Sequence, residues 1–395
     1  MKRLHLIALI MLVAQVCAAD DVQPFPIMAW SGVPQDAVMV KRMKDCGLTI
    51  VGPDGPDALD RCQAAGLKML LRAPETEGYG NWQGVDDAAA KKNAATLAAK
   101  VGKHPALWGY YLTDEPHAAL FPGIATVQNA FLAADPNHIA FTNLLPNYAT
   151  ADQQGAKTYD EYLEKFVEVT HPQLLSYDFY GLNDDGSLRD GYFQNLESAR
   201  RVSVKHNVPF FNVVLALAHF TFRVPNDADF NFQAFTTLAM GGKGIVYFMY
   251  LTPSVGNYRL GPVDQFGNET PTWYNMQQAN LKLQKLGPTM LKCKSDDAYH
   301  VGKVPHDCHG PMEKNFIKNI PGGEYLVGEF THADGTKYVM IVNKDVKKSR
   351  YVQIEWNQRP KDIQLLSNYS GQPTPFVGEQ CWLAPGDGML LRVVY

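Results

Sequence analysis

Two adjacent carboxylates close an apolar, aromatic run in Trp108-Gly-Tyr-Tyr-Leu-Thr-Asp-Glu-Pro-His117. Carboxyls held a few ångströms apart cannot both ionise freely, so one keeps its proton towards neutral pH, the condition a general acid needs. At the C-terminal end of a parallel barrel strand such a pair opens into the cleft. The same residues also suit a helix start, with Asp114 as N-cap and Pro116 in the first turn. A further carboxylate, Asp178, stands in Leu174-Leu-Ser-Tyr-Asp-Phe-Tyr-Gly181, flanked by Tyr177 and Tyr180. In this reading Glu115 is the proton donor, Asp114 the neighbour that raises its pKa, and Asp178 the second working carboxylate.

Such groups need a scaffold, and apolar strand-like runs alternate with amphipathic helical patterns from Phe25 to about Gln284. The strands are expected at 26–30, 48–51, 68–72, 107–112, 139–143, 174–180, 210–217 and 244–250. Helical stretches between them include 36–46, 58–65, 88–101, 159–169 and 230–240, and several end at glycines such as Gly47, Gly66 and Gly241. Eight strands close a (β/α)8 TIM barrel of the α/β class, with an open doubly wound sheet as the alternative. No Gly-x-Gly-x-x-Gly follows the first strand, which weakens a dinucleotide-binding sheet. From Leu291 short alternating segments with turns predict a small C-terminal antiparallel β-sandwich-like domain. A helix over 273–286 and a Gly287-Pro288 break join the two, giving a barrel over 20–288 and a β-domain over 289–395 that packs against it.

Residues 1–19 read as a cleaved secretory signal: Lys2 and Arg3, an apolar run from Leu6 to Val16 too short to span a bilayer, then Cys17-Ala-Ala19. The expected location is secreted or periplasmic, with no membrane span. Five cysteines follow, Cys46, Cys62, Cys293, Cys308 and Cys381. In an oxidising compartment Cys46 can bridge Cys62 and Cys293 can bridge Cys308, with Cys381 competing for either. No histidine and cysteine spacing matches a metal site, so neither metal nor cofactor is expected. The formal net charge of −4 offers no basic face for nucleic acid.

The Leu-Thr-Asp-Glu-Pro turn, the Asp178 strand, Gly241-Gly-Lys-Gly-Ile-Val-Tyr-Phe-Met-Tyr250 and Gly267-Asn-Glu-Thr-Pro-Thr-Trp-Tyr274 together resemble secreted (β/α)8 glycoside hydrolases. The likeness is to the broad clan of β-galactosidases and cellulases, whose acid/base glutamate ends strand four in an Asn-Glu-Pro or similar turn. It implies an oligo- or polysaccharide substrate, Glu115 as acid/base, and Asp114 where the clan has a sugar-contacting asparagine. The clan's nucleophile is a glutamate ending strand seven; here Leu217-Ala-His219 stands in its place. Chitinase-like and hexosaminidase-like barrels, a lesser likeness, also place an acid at strand four, and chitinase-like ones a Tyr-Asp at strand six, as at Tyr177-Asp178. Those families use the substrate's own N-acetyl group as nucleophile.

Breaking a glycosidic bond requires a proton for the leaving oxygen and a nucleophile or activated water for the ring carbon. Asp178 serves as nucleophile at a carboxyl separation of about 5 to 5.5 Å, or as water-activating base at roughly 6.5 to 9.5 Å. Trp30, Tyr177, Tyr180, His219 and Tyr250 are the substrate-binding candidates, and each also has a purely structural use in or against the barrel core. Arg72 reads as a barrel-interior charge partner, a structural role in which it can orient Glu115 or Asp114. A carbohydrate-binding protein that has lost turnover, or a polysaccharide lyase using tyrosine, are the alternatives; the absence of a Gly-x-Ser-x-Gly elbow argues against an esterase.

Overall fold

The computed structural model describes residues 23–80, 82–378 and 381–395; the secretory signal and Cys17 lie outside the described residues. Eight parallel strands close into a barrel in chain order: β1 (Ile27–Trp30), β2 (Ile50–Asp54), β3 (Lys68–Leu71), β4 (Leu107–Asp114), β5 (Ile139–Leu144), β6 (Leu175–Asp178), β7 (Phe210–Leu215) and β8 (Gly244–Phe248). Closure is made by β1 against β8, with Met28 opposite Val246 and Trp30 opposite Phe248. The eight expected runs are thus the eight strands. The sixth is shorter than expected, leaving Tyr180 beyond its end.

Period-two alternation sorts each strand's side chains between two cores. Met28, Ile50, Leu70, Tyr111, Phe141, Phe211, Val213 and Val246 fill the barrel, with Trp30, Trp108 and Phe248 packed against them. Ile27, Ala29, Val51, Met69, Leu71, Tyr110, Tyr177 and Tyr247 face outward into a larger core shared with the helices. Two tyrosines of that outer layer are satisfied locally: Tyr110 donates to Asp135 at 2.7 Å and Tyr247 to Asn280 at 2.9 Å.

Local signals set the helix starts. Asp36 accepts from the Val38 N–H, Asp86 from Ala89 and Thr158 from Glu161, while Asn226 and Asp229 form a reciprocal capping box. The expected break at Gly287-Pro288 is not there: one helix runs Pro271–Leu291 through both residues. Gly287 is placed where a Cβ would collide with the Phe25 side chain, so glycine lets this helix lie close on the barrel. Leu283, Leu286 and Met290 are buried on the same helix, and that packing outweighs the single hydrogen bond lost at a proline in its last turn.

The C-terminal region is a six-stranded antiparallel sheet, in the order 373–375, 362–366, 388–394, 337–343, 325–332, 293–301, with two short ribbons. Leu326, Phe330, Met340 and Leu390 join the barrel's outer core, while Val327, Val339, Ile341 and Leu391 build a second core with Ile317 and Leu383 of the ribbons. Lys282 on the helix Pro271–Leu291 ties across to Asp387 at 3.0 Å. No described helix is long and apolar enough to cross a membrane.

The expected disulfides are absent: all five described cysteines are free thiols. Each sits in its own surroundings. Cys46 contacts the Trp273 carbonyl oxygen at 3.6 Å, Cys293 lies beside Lys243, Cys308 near Glu197, and Cys381 against the Met389 sulfur at 3.5 Å. Burial of Cys62 and Cys293 pushes both thiols up to about 12, so these groups stay protonated and unreactive. Denatured without reductant, the protein should take alkylating reagent at all five positions, read by peptide mass. Gly328 meets the Ala239 backbone carbonyl where the sheet docks on the barrel, and a methyl there would collide with it. Gly328→Ala should therefore cost about 1–3 kcal/mol of stability, seen as a lowered Tm.

Candidate active site

β4, β5 and β6 are neighbours, and their C-terminal ends bring Asp114, Asn143 and Asp178 together. The Asn143 amide nitrogen donates to Asp114 Oδ1 at 3.1 Å and to Asp178 Oδ1 at 2.9 Å. Its amide oxygen accepts from the Ser176 hydroxyl at 3.0 Å, which fixes the amide's orientation. Glu115 does not begin a helix. It has φ +48°, in the left-handed region, and its N–H donates to the Asn143 carbonyl at 2.9 Å. The next helical turn starts only at Ala118, capped by His117, so the helix-cap use of Asp114 is not the one found. The left-handed residue turns the Glu115 side chain towards the strand-six carboxyl, with which it is in hydrogen-bond contact.

That contact needs a proton, and burial decides where it resides. Asp178 is 3% exposed, and burial, then the charges of Glu115 and Asp114, hold its carboxyl well above the usual carboxylate range; the Asn143 bond opposes them. Asp114 and Glu115 open to the cleft but are walled by protein. Burial raises both, with Asp114 adding to the rise at Glu115 and the Asp178 contact opposing it. Asp178 is therefore the protonated donor of the pair and Glu115 the acceptor at rest.

These groups line a cavity of about 180 Å³ with Trp30, Tyr180, Val213, His219, Phe220, Phe248 and Tyr258. Its lining acids are Asp114, Glu115 and Asp178. The end of β7 is pinned by Gln233, whose side chain bonds both the Leu215 N–H and its carbonyl at 3.0 Å. Beyond it His219, 2% exposed, fills the strand-seven side of the cavity. Its Nδ1 lies 3.3 Å from the Leu217 carbonyl, and rings of Tyr180, Phe220, Phe222, Phe248 and Tyr258 surround it at 5.1–5.7 Å. Burial lowers its pKa, leaving a neutral imidazole that donates from Nδ1 and can accept at Nε2.

Of the residues singled out from sequence, Glu115, Asp178, Asp114, Trp30, Tyr180 and His219 meet in this cavity. Tyr177 does not: it alternates with Asp178, faces the helices, and stacks on Phe210. Tyr250 is likewise buried outside the cavity, accepting the Trp273 indole N–H at 2.9 Å. Arg72 is not the orienting partner of the carboxyls, since it forms two bonds to Glu77 at 2.9 and 3.1 Å. Asn143, Phe248 and Tyr258 were not among the candidates. Asn143 is the polar end of Ile139-Ala-Phe-Thr-Asn143, a signal of the same kind as Asp114, and Phe248 shares strand parity with the interior Val246. Tyr258 comes from a loop without any pattern.

Among the described residues no group of histidine, cysteine and carboxylate side chains is arranged to hold a metal ion. No family model and no curated protein sequence matches the chain. Solved structures do. The fold is similar to a family 5 glycoside hydrolase from Bacteroides vulgatus, with a TM-score of 0.59 and 12% identity over 94% of this chain and 88% of that one. It is similar to another glycoside hydrolase at TM-score 0.56 and 12% identity, over 93% and 92% of the two chains. A β-galactosidase from the psychrophilic Marinomonas ef1 matches at TM-score 0.50 and 11% identity; the chain covers 60% of that protein's length and 66% of its own residues align. At these identities the likeness is one of fold.

Asp178 carries a pH signature. A carboxyl whose folded pKa is raised binds its proton more tightly in the folded state, so its contribution to stability is full below the unfolded value near 4 and is lost as pH rises through the folded value. Asp178→Asn removes that loss while keeping the side chain's shape. The variant should melt higher than the native protein at pH 8, and the gain should vanish towards pH 4; thermal melts across this range check it.

Proposed function

We propose that the protein is a secreted or periplasmic hydrolase of O-glycosidic bonds in an oligo- or polysaccharide, with Glu115 as general acid. The observation that carries this reading is the pairing of the buried Asp178 with Glu115, both carboxyls held above their ordinary range, at the strand ends of a barrel cavity walled by aromatic rings. Export rests on the pattern of residues 1–19. The similar folds of glycoside hydrolases agree with a carbohydrate substrate.

At rest the proton sits on the buried Asp178, behind Glu115. A sugar entering the cavity displaces water, weakens the solvation of the Glu115 carboxylate and draws the proton onto it. Glu115 then delivers it to the departing glycosidic oxygen as the bond to the ring carbon breaks, and Asp178 is left as the carboxylate. Negative charge on Asp114 and Asp178 faces the positive ring carbon that develops. Two routes complete the step. Water deprotonated by Asp114 acts on any sugar, whereas attack by the substrate's own acetamido oxygen requires an N-acetyl sugar. Neutral His219 occupies the strand-seven side, where it can accept a sugar hydroxyl at Nε2.

A carbohydrate-binding protein without turnover is the second reading, favoured by one observation: strand seven ends without a carboxylate. The lyase reading loses Tyr177, which points away from the cavity, and would rest on Tyr180.

A panel of aryl α- and β-glycosides, with and without N-acetyl groups, tests the proposal by aglycone release. The native protein should release aglycone and Glu115→Gln should lose at least about a hundredfold in kcat/KM. Release confined to acetamido sugars selects the acetamido route. Equal rates in both proteins sink Glu115 as the acid, and binding without release of any aglycone supports the second reading. Activity should also fall as pH rises through the raised pKa of the Asp178–Glu115 pair, because the shared proton is then lost; a pH–rate profile from pH 4 to 9 reads this directly.

A further inference from the structure

A second cavity, of about 620 Å³, lies beside the first and is bounded by Arg72, Glu77, Trp82, Tyr111 and Thr113. The two meet at the end of β4, where Thr113 lines one and Asp114 the other. They also share an aromatic divide: Trp30 of the first cavity contacts Tyr111 of the second edge to face at 5.8 Å. We infer that this second cavity is a subsite for a neighbouring sugar unit, so that the substrate is a chain of at least two units lying across Trp30 and Tyr111. The assignment rests on the carbohydrate reading above.

Three observations carry it. Tyr111 is 7% exposed, yet its hydroxyl has no hydrogen-bond partner among the described residues. The hydroxyl is not one of the fully buried polar atoms without a partner, so it reaches the cavity, where a sugar hydroxyl can bond it in place of water. Burial and the charge of Asp114 raise its pKa, so it stays a neutral donor and acceptor, the pairing a sugar hydroxyl needs.

Arg72 is the second. Its Nε and Nη2 are taken by Glu77 at 3.1 and 2.9 Å, while its Nη1 makes no bond among the described residues. The guanidinium lies 5.6 Å from the Tyr111 ring centre, so its free donors and the phenol line one cavity. Because Glu77 already neutralises Arg72, the pair offers hydrogen bonds without selecting an anion. That suits an uncharged sugar more than a uronate or sulfate.

Third is size. The first cavity, at about 180 Å³, falls below the ~300–1,000 Å³ usual for small-molecule sites, whereas the second, at about 620 Å³, lies within it and offers the room a further sugar unit needs.

The test uses the full chain carrying Glu115→Gln and measures binding of cello-, xylo-, manno-, chito- and β-1,4-galacto-oligosaccharides of one to four units by titration calorimetry. In the series that binds, affinity should rise at least about tenfold from one unit to three. Tyr111→Phe, which keeps the ring, and Arg72→Ala should each remove roughly threefold to tenfold of affinity for the longer ligands and leave the monosaccharide unchanged. Affinity independent of length, an equal loss for the monosaccharide, or no binding in any series overturns the subsite. The catalytic reading is judged separately: length-dependent binding that depends on Tyr111, in a protein whose hydrolysis does not depend on Glu115, keeps the subsite and discards the acid.

Discussion

One asparagine amide holds the site together. Asn143 donates to Asp114 and to Asp178, two carboxyls that would repel one another if both were charged, and Ser176 prevents the amide from turning over. An amide is the group that fits here, because it bonds to acids without neutralising them. A lysine or arginine in its place would pull both carboxyls down and abolish the raised pKa on which the proposed acid catalysis depends. The strand order β4-β5-β6 puts that amide between its two partners.

From this constraint the layout of the cleft follows. Asp178 is deep and retains a proton, Glu115 sits above it in a left-handed turn, and Asp114 faces the opening. The strand-four and strand-six sides of the cavity are acidic; the strand-seven and strand-eight sides are aromatic, around a neutral His219. A sugar has polar edges and less polar faces, and under the proposed function a cavity divided in this way would meet both. On the other side Tyr111 and Arg72 continue the polar surface past Thr113. The β-domain packs on the helices Tyr192–His206 and Asp227–Ala239 with one face and encloses its own core with the other.

Much of this was legible without coordinates. Asp114, Glu115 and Asp178 were visible because strands ended in carboxylates, and the eight apolar runs were visible because buried parallel strands need them. Where the reading failed, it failed for three-dimensional reasons. Tyr177 and Tyr250 are aromatic near strand ends, as Trp30 and Tyr180 are, but they face the helices, where tyrosine with a bonded or enclosed hydroxyl is good core material. The helix did not break at Gly287-Pro288 because its burial against Phe25 outweighed local propensity. The thiols stayed apart because each cysteine was drawn into a separate packed environment.

By itself, then, the sequence determined the repeating strand and helix pattern, and with it the barrel and the strand ends from which acids can act. Periodicity and caps are local, so they survive in one dimension. Only the tertiary structure decided that Asn143 would join two carboxyls 35 and 29 residues away from it, that Glu115 would turn onto Asp178, and that aromatic rings would close around His219. Those are relations between side chains on different strands, set by register and by the direction each Cβ takes. A shift in either would leave the composition unchanged and separate the acids.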